Sequence, residues 1–225
     1  MTTAPEITIH TLRLRLSNVH LAVGRECILF DAGSPNDAGR IQDWIAGLGL
    51  PQPKAIILTH AHADHAGSAA ELRRISGAPI CLASPDWPAA QRGANGPLRV
   101  TRPSAWPLKY LVPQRFPPFT PDLTLDQPDA LAAFGLEAGL LATPGHTPGS
   151  ISALFSDGQA IVGDVLMGGY IGGNLLPHRP RPHYFAEDRI QNARSLAVLL
   201  ALGARRLHVG HGGPIEVSQM KEPPT

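Results

Sequence analysis

The chain has 225 residues, 43% hydrophobic and 16% charged, an ordinary balance for a globular protein with one sizeable core. Its 19 Lys+Arg and 18 Asp+Glu leave a formal net charge of +1, which gives no general attraction to a phosphate backbone or an anionic membrane, so any binding preference has to be local. No apolar run approaches the roughly 20 residues of a membrane span, and the opening MTTAPEITIHTLRLRL lacks the continuous apolar stretch of a secretory signal. The expectation is a cytoplasmic protein with no membrane or nucleic-acid partner.

ITIHTLRLRL (7–16) and VHLAV (19–23) alternate apolar with polar residues, as half-buried strands do, and CILFDAG (27–33) is an apolar strand ending in a turn signal. Ile41, Trp44, Ile45 and Leu48 recur at helical spacing, and GLGLPQP stops that helix. KAIILTH is a buried strand, and GSAAELRRISG predicts a helix that starts near Ser68 and ends at Gly77. Cys27 and Cys81 sit in apolar strand-like runs and are expected as buried free thiols.

Residues 84–128 break the rhythm, with ten of the chain's 23 prolines interleaved with aromatic residues. Regular structure is not expected there. The segment is either a surface excursion anchored by its aromatics or an apolar wall that contacts substrate, with Trp106 and Phe119 as the contacts. GLEAGLLATPGHTPGS, SISALFS and QAIVGDVL then resume the strands, with Asp157-Gly158 as a hairpin turn. A last helix is predicted over 186–202, on Ile190, Leu196, Leu199 and Leu200, and the strand RRLHVG follows it. Strands alternating with helices favour an α/β fold, here one domain over 1–225 with an insertion at 84–128. LPHRPRPHYF (176–185) is locally basic, and its His178 and His183, beside Arg179 and Arg181, are candidates for holding a substrate carboxylate.

THAHADHAG (59–67) places His60, His62, Asp64 and His65 directly after an apolar strand, and His146, Asp164 and His211 each follow another. In layered α/β folds, ligands bind in the crevice beyond strand ends. Any one of these residues alone would be a loop or turn former. Together, five imidazoles and two carboxylates offer more ligands than one tetrahedral zinc can use, and enough for two divalent cations if one carboxylate bridges. The intervening alanines let a tight loop turn several ligands toward one point.

The set THAHADH, TPGHTPGS (143–150), VGD (162–164) and VGHG (209–212), with LFDAG (29–33) upstream, resembles the metallo-β-lactamase-fold hydrolases. The resemblance implies an αββα sandwich of two mixed sheets flanked by helices. It also implies that His60, His62 and His146 hold one metal and Asp64, His65 and His211 a second, with Asp164 bridging and Asp31 structural. Two ions, zinc first and iron or manganese as alternatives, would lower the pKa of a shared water, with Asp64 also orienting it for attack on an ester, thioester or lactone carbonyl of a small-molecule substrate. Asp164 favours the glyoxalase II-like and lactonase-like branches over β-lactam hydrolases. Acyl-homoserine lactonases are similar but carry tyrosine three residues after the bridging Asp, where this chain has Met167, so Tyr170 and Tyr184 are the candidate substitutes. β-Lactam or phosphodiester hydrolysis and the single-iron chemistry of persulfide dioxygenases, which would use His60, His146 and Asp164, remain alternatives at this point.

Overall fold

The computed structural model describes residues 7–220. The first six and last five residues, which include part of the segment read for a signal and both ends of the expected domain, lie outside the described residues.

The first sheet comprises β1 (Thr8–Arg13), β2 (Asn18–Val23), β3 (Cys27–Phe30), β4 (Ala55–Ile57), β5 (Ile80–Leu82) and β6 (Leu123–Thr124), paired in that order. The β1–β2–β3 pairings are antiparallel, and those from β3 to β6 are parallel. Parallel neighbours need crossovers. The β3–β4 crossover contains α1 (Ala38–Gly47), and the β4–β5 crossover contains the one-turn α2 (Ala63–Ala66) and α3 (Ala69–Ser76). Gly77, in the left-handed conformation, ends α3 where expected.

The side-chain period of two divides the sheet residues between two cores. Leu29, Ile56 and Leu58 pack with Ile41, Ile45 and Leu72 of the helices, whereas Ile28, Phe30 and Ile57 face Leu140, Ile151 and Phe155 of the second sheet. That sheet holds β7 (Ala138–Ala142), β8 (Ile151–Phe155) and β9 (Gln159–Gly163). After a separate hairpin of β10 (Met167–Tyr170) and β11 (Leu175–Arg181), it continues with β12 (Arg206–Val209) and β13 (Ile215–Glu216), in the order β13-β12-β9-β8-β7. Its outer face, with Ala160, Val162 and Leu207, is covered by Leu196 and Leu199. The layers are therefore helix, sheet, sheet, helix.

Three local expectations are corrected. β2 is buried on both faces instead of half-buried, because Val19 and Leu21 enter one core and Ala22 the other, while His20 bonds Thr11 and the Val209 carbonyl. The 84–128 stretch contains regular structure: a 3-10 turn at Ser84–Asp86, α4 (Trp87–Arg92), two further 3-10 turns and β6. Proline in the first helical turn gives up an amide that has no intrahelical partner there, so Pro85 and Pro88 start these elements without penalty. The last helix, α5 (Arg189–Ala201), starts later than expected, capped by the Asp188 carboxylate on the Gln191 amide, and leaves Ile190 exposed.

Cys27 and Cys81 are buried free thiols, and burial pushes the Cys81 thiol up to about 12. Among the described residues no helix is long and apolar enough to cross a membrane.

Candidate metal centre

Every ligand-type residue stands at the same end of a strand or just past it. β4 leads into Thr59 and His60, and the chain then turns with His62 extended before α2, which carries Asp64 and His65. Ala61, Ala63 and Ala66 pack into the helix-side core, so the small residues anchor the loop while the larger ones turn into the crevice. The loop from β7 to β8 brings His146, the end of β9 brings Asp164, and the end of β12 brings His211.

The side chains converge. Asp164 Oδ2 lies 3.2 Å from His211 Nε2, 3.4 Å from His146 Nε2, 3.5 Å from His65 Nε2 and 3.8 Å from His60 Nε2. Asp64 Oδ2 is 3.5 Å from His211 Nε2 and 3.9 Å from His65 Nε2, and His62 Nδ1 stands 2.9 Å from His146 Nε2. Two donor groups without a common member result, His60/His62/His146 and Asp64/His65/His211, each tight enough to surround one ion.

The outer nitrogens have fixed partners. His65 Nδ1 is 2.8 Å from Asp31 Oδ2, His146 Nδ1 2.9 Å from the Phe185 carbonyl, and His211 Nδ1 2.7 Å from the Leu16 carbonyl. A donor role at each Nδ1 leaves the Nε2 lone pair facing inward, which is the orientation of metal-bound imidazoles. Asp31 itself takes the left-handed region, φ 63°, and also accepts from the Thr59 amide and hydroxyl, so it positions His65 from behind.

Charge and packing fit a cation here. Burial drives the imidazoles of His62 and His146 down to about 3, and His60 well below its ordinary value, so they are neutral as ligands must be. Burial opposes ionisation of Asp164, but His211, His183, His65 and His146 outweigh it and hold its carboxyl well below the usual range. Burial likewise opposes charge on His65, and Asp164, Asp31 and Asp64 overcome it. His60 Nε2 and Asp164 Oδ1 are buried without any hydrogen-bond partner. A Cβ at Gly210 would come within 2.1 Å of Asp164 Oδ1 and 2.6 Å of His65 Cε1, so only glycine lets β12 approach the cluster.

Two features were not legible in the sequence. His183, expected against substrate, is 6% exposed, and its Nε2 lies 3.3 Å from Asp164 Oδ2, which places it within a further group with His146 and Asp164. Asp86, in the proline-flanked SPDWP, ties the two main ligand loops together by accepting from the Ala61 amide, the Thr147 hydroxyl and the Gly149 amide. An aspartate in a proline turn reads as a local cap, so nothing in the sequence flags a long-range role.

The cluster forms the floor of a cavity of about 660 Å³. Tyr170, His183 and Tyr184 line it. Three other expected contacts do not. Trp106 is 59% exposed and packs edge-on against Tyr110, because its 3-10 turn points it outward. Phe119 is buried beside Phe116 in the helix-side core, and the exposed His178 bonds the Pro214 carbonyl. The excursion still contributes to the wall, through Leu98, Leu108, Leu111 and Val112.

A mixed two-sheet sandwich with a histidine–aspartate crevice at its strand ends defines a metal-dependent enzyme class, and the comparisons place the chain within it. The family model of the metallo-beta-lactamase superfamily matches residues 12–211, and the chain belongs to that superfamily. It is 30% identical over 230 residues to the probable metallo-hydrolase YflN of Bacillus subtilis (strain 168), covering 92% of this chain and 84% of that protein. It is 33% identical over 136 residues to a hydroxyacylglutathione hydrolase of Pseudomonas putida (strain F1), a match that spans 60% of this chain and 39% of that protein. Among solved structures, TTHA1623 in a di-iron-bound form superposes with a TM-score of 0.67 at 28% identity, covering 96% of this chain and 98% of that one. The BLEG-1 B3 metallo-beta-lactamase, at 21% identity, shares the fold with a TM-score of 0.70 and coverage of 97% and 98%. Superfamily membership, the metallo-hydrolase relatives and the donor cluster together support a metal-dependent hydrolase.

Proposed function

We propose that the protein is a dinuclear hydrolase of an ester, thioester or lactone, with zinc as its metal. The observation that carries the reading is the pair of separate donor groups with one carboxylate between them: Asp164 Oδ2 reaches His60 and His146 of the first group and His65 and His211 of the second, all within 3.8 Å. His60, His62 and His146 would hold one ion, Asp64, His65 and His211 the other, and Asp164 both. When bound, the pair supplies a Lewis acid for the substrate carbonyl and a water of near-neutral pKa.

The chain's own residues do the rest. Asp164, with its carboxylate between the two donor groups, would offset the positive charge of ions held there. Asp31, the Phe185 carbonyl and the Leu16 carbonyl hold the rings of His65, His146 and His211 with their inner nitrogens aimed into the centre. Asp64, only partly buried and open to the cavity, is placed to accept a hydrogen bond from the attacking water and so orient it.

The hydrolase relatives support hydrolysis, and the hydroxyacylglutathione hydrolase points to a thioester as the first substrate to try. The di-iron neighbour makes iron the first alternative metal. Elemental analysis of protein purified without added metal, followed by a panel of thioesters, lactones, esters, a β-lactam and phosphodiesters, tests the reading. Two ions per chain with turnover of a carbonyl substrate is the expected result. Saturation with a single iron and no hydrolysis would replace it with oxygen chemistry of the persulfide dioxygenase kind.

A further inference from the structure

Beyond the two aspartates of the metal centre, the charged side chains lining the cavity are Arg15, Arg102 and Arg181, and none forms an ion pair among the described residues. Three unpaired guanidinium groups in one cavity of a chain with a net charge of +1 form a local concentration of positive charge.

Two of them are held in place. The Arg102 guanidinium lies 4.6 Å above the Tyr184 ring and that of Arg181 4.6 Å above the Tyr170 ring. The segments carrying them are fastened together. The Thr101 amide donates to the Tyr184 carbonyl at 2.9 Å, the Thr101 hydroxyl to the His183 carbonyl at 2.6 Å, and the Ile171 amide to the Tyr184 hydroxyl at 3.0 Å. Stacking presents the edge of a guanidinium, not its face, to an incoming group. Arg102 Nε and Nη2, and Arg181 Nε, are buried with no hydrogen-bond partner. The Nε–Nη2 edge carries two parallel N–H bonds, the fork that matches both oxygens of a planar carboxylate. Leaving buried donors of a charged group unmade is costly, and Arg102 leaves both donors of that edge unmade and Arg181 its Nε.

The rest of the wall is apolar. Leu111 and Ile171, 75% and 69% exposed, line it as uncovered apolar surface that a hydrocarbon segment would bury.

We propose that the cavity binds an amphipathic carboxylate: a substrate with an apolar body along Leu108, Leu111 and Ile171 and a carboxylate, remote from the bond that is cut, held by Arg102 and Arg181. The position of the scissile carbonyl rests on the hydrolase reading above; the anion site does not.

The test uses the metal-loaded protein and three probes that contain no carbonyl to cut: phenylhexanoate, phenylhexanol and phenylhexyl phosphate. Calorimetry reads the dissociation constant of each with the unaltered protein and with R102Q, R102K and R181Q, and elemental analysis and melting curves check that each variant is folded and keeps its metal. The carboxylate should bind at least about tenfold more tightly than the alcohol, and each Gln variant should weaken it about tenfold, the scale of one charge-assisted hydrogen bond. R102K, which keeps the charge but lacks the fork, should weaken it as well. Equal binding of acid and alcohol, or binding of the acid that survives both Gln variants and so comes from the metal centre, would overturn the proposal. Tighter binding of the phosphate with the same arginine dependence would overturn the carboxylate assignment. Arg-dependent binding in a protein that hydrolyses nothing in the panel would remove the hydrolase reading and leave this site standing.

Discussion

Replacing Asp164 with Asn is the sharpest perturbation of the proposed centre, since it preserves size and removes one charge. The carboxylate oxygen stands 3.2–3.8 Å from Nε2 of His211, His146, His65 and His60. At an effective dielectric of about 20, a carboxylate attracts a unit positive charge 3.5 Å away by about 5 kcal/mol. If only about 4 kcal/mol of that is lost at the weaker of two metal positions, affinity there falls about a thousandfold. Asp64, His65 and His211 would then face a neighbouring dication without the intervening negative charge, so the D164N protein should hold about one ion where the parent holds two. Turnover should fall by at least about two orders of magnitude, because the attacking water would lose one of its two activating ions and the carbonyl one of its Lewis acids. The fold should persist, since Asp164 belongs to none of the three hydrophobic cores. The assay is bound metal per chain and kcat for both proteins across a series of free-metal concentrations. A D164N protein that binds two ions and turns over normally, or a parent that saturates with one, would refute the bridging argument.

Chelation should lower the melting temperature and abolish activity together, because the ligands come from separate segments and bind metal only in the folded chain. Free metal at about a thousand times its Kd adds about 4 kcal/mol, equivalent to about 10 °C for a chain of this length, and a scanning calorimeter reads the difference. Metal uptake should release protons and weaken as pH falls. His65 and His211 are raised above their ordinary values by Asp164 and other carboxylates in spite of burial, so in the metal-free protein they carry protons that binding must displace; titrations in buffers of different ionisation enthalpy count them. The metal-free fold should also lose stability as pH falls from about 6.5 toward 3. Burial and the neighbouring His208 hold His20 down to about 3, so in that window the unfolded chain binds a proton that the native one refuses, a slope of about 1.4 kcal/mol per pH unit. His62, His146 and His183 are held to about 3 as well and add to the slope, so H20Q should lower it by the share of one group in denaturant titrations. Trp106→Ala should leave kinetics unchanged because the ring lies outside the cavity, whereas Phe119→Ala should cost about 3–5 kcal/mol in chemical denaturation through a core cavity. An altered KM for W106A would show that the excursion closes over substrate.

What the sequence determined by itself is whatever depends on neighbours in the chain. THAHADH is a compact stretch whose residue types announce their chemistry, Gly77 and Asp157-Gly158 are breaks set by local backbone preference, and the continuous apolar runs CILF and AIIL mark strands buried on both faces. The layered class and the type of ligand were therefore legible, although pairing His146, Asp164 and His211 with that loop needed the resemblance, since their sequence separations carry no distance. Direction was out of reach. Whether an aromatic in the proline-rich stretch faces the cavity or the core depends on the 3-10 turns around it, and Trp106 and Phe119 went elsewhere while Leu108 and Leu111 lined the wall. Only the folded structure could show that His183 sits 3.3 Å from Asp164 and that Asp86 joins two ligand loops. Tertiary packing alone likewise brought Arg102 and Arg181, 79 positions apart, into one cavity, each with buried unbonded donors and its face on a tyrosine. A charge has no intrinsic partner in one dimension; its partner is chosen by whichever surfaces the sandwich brings together.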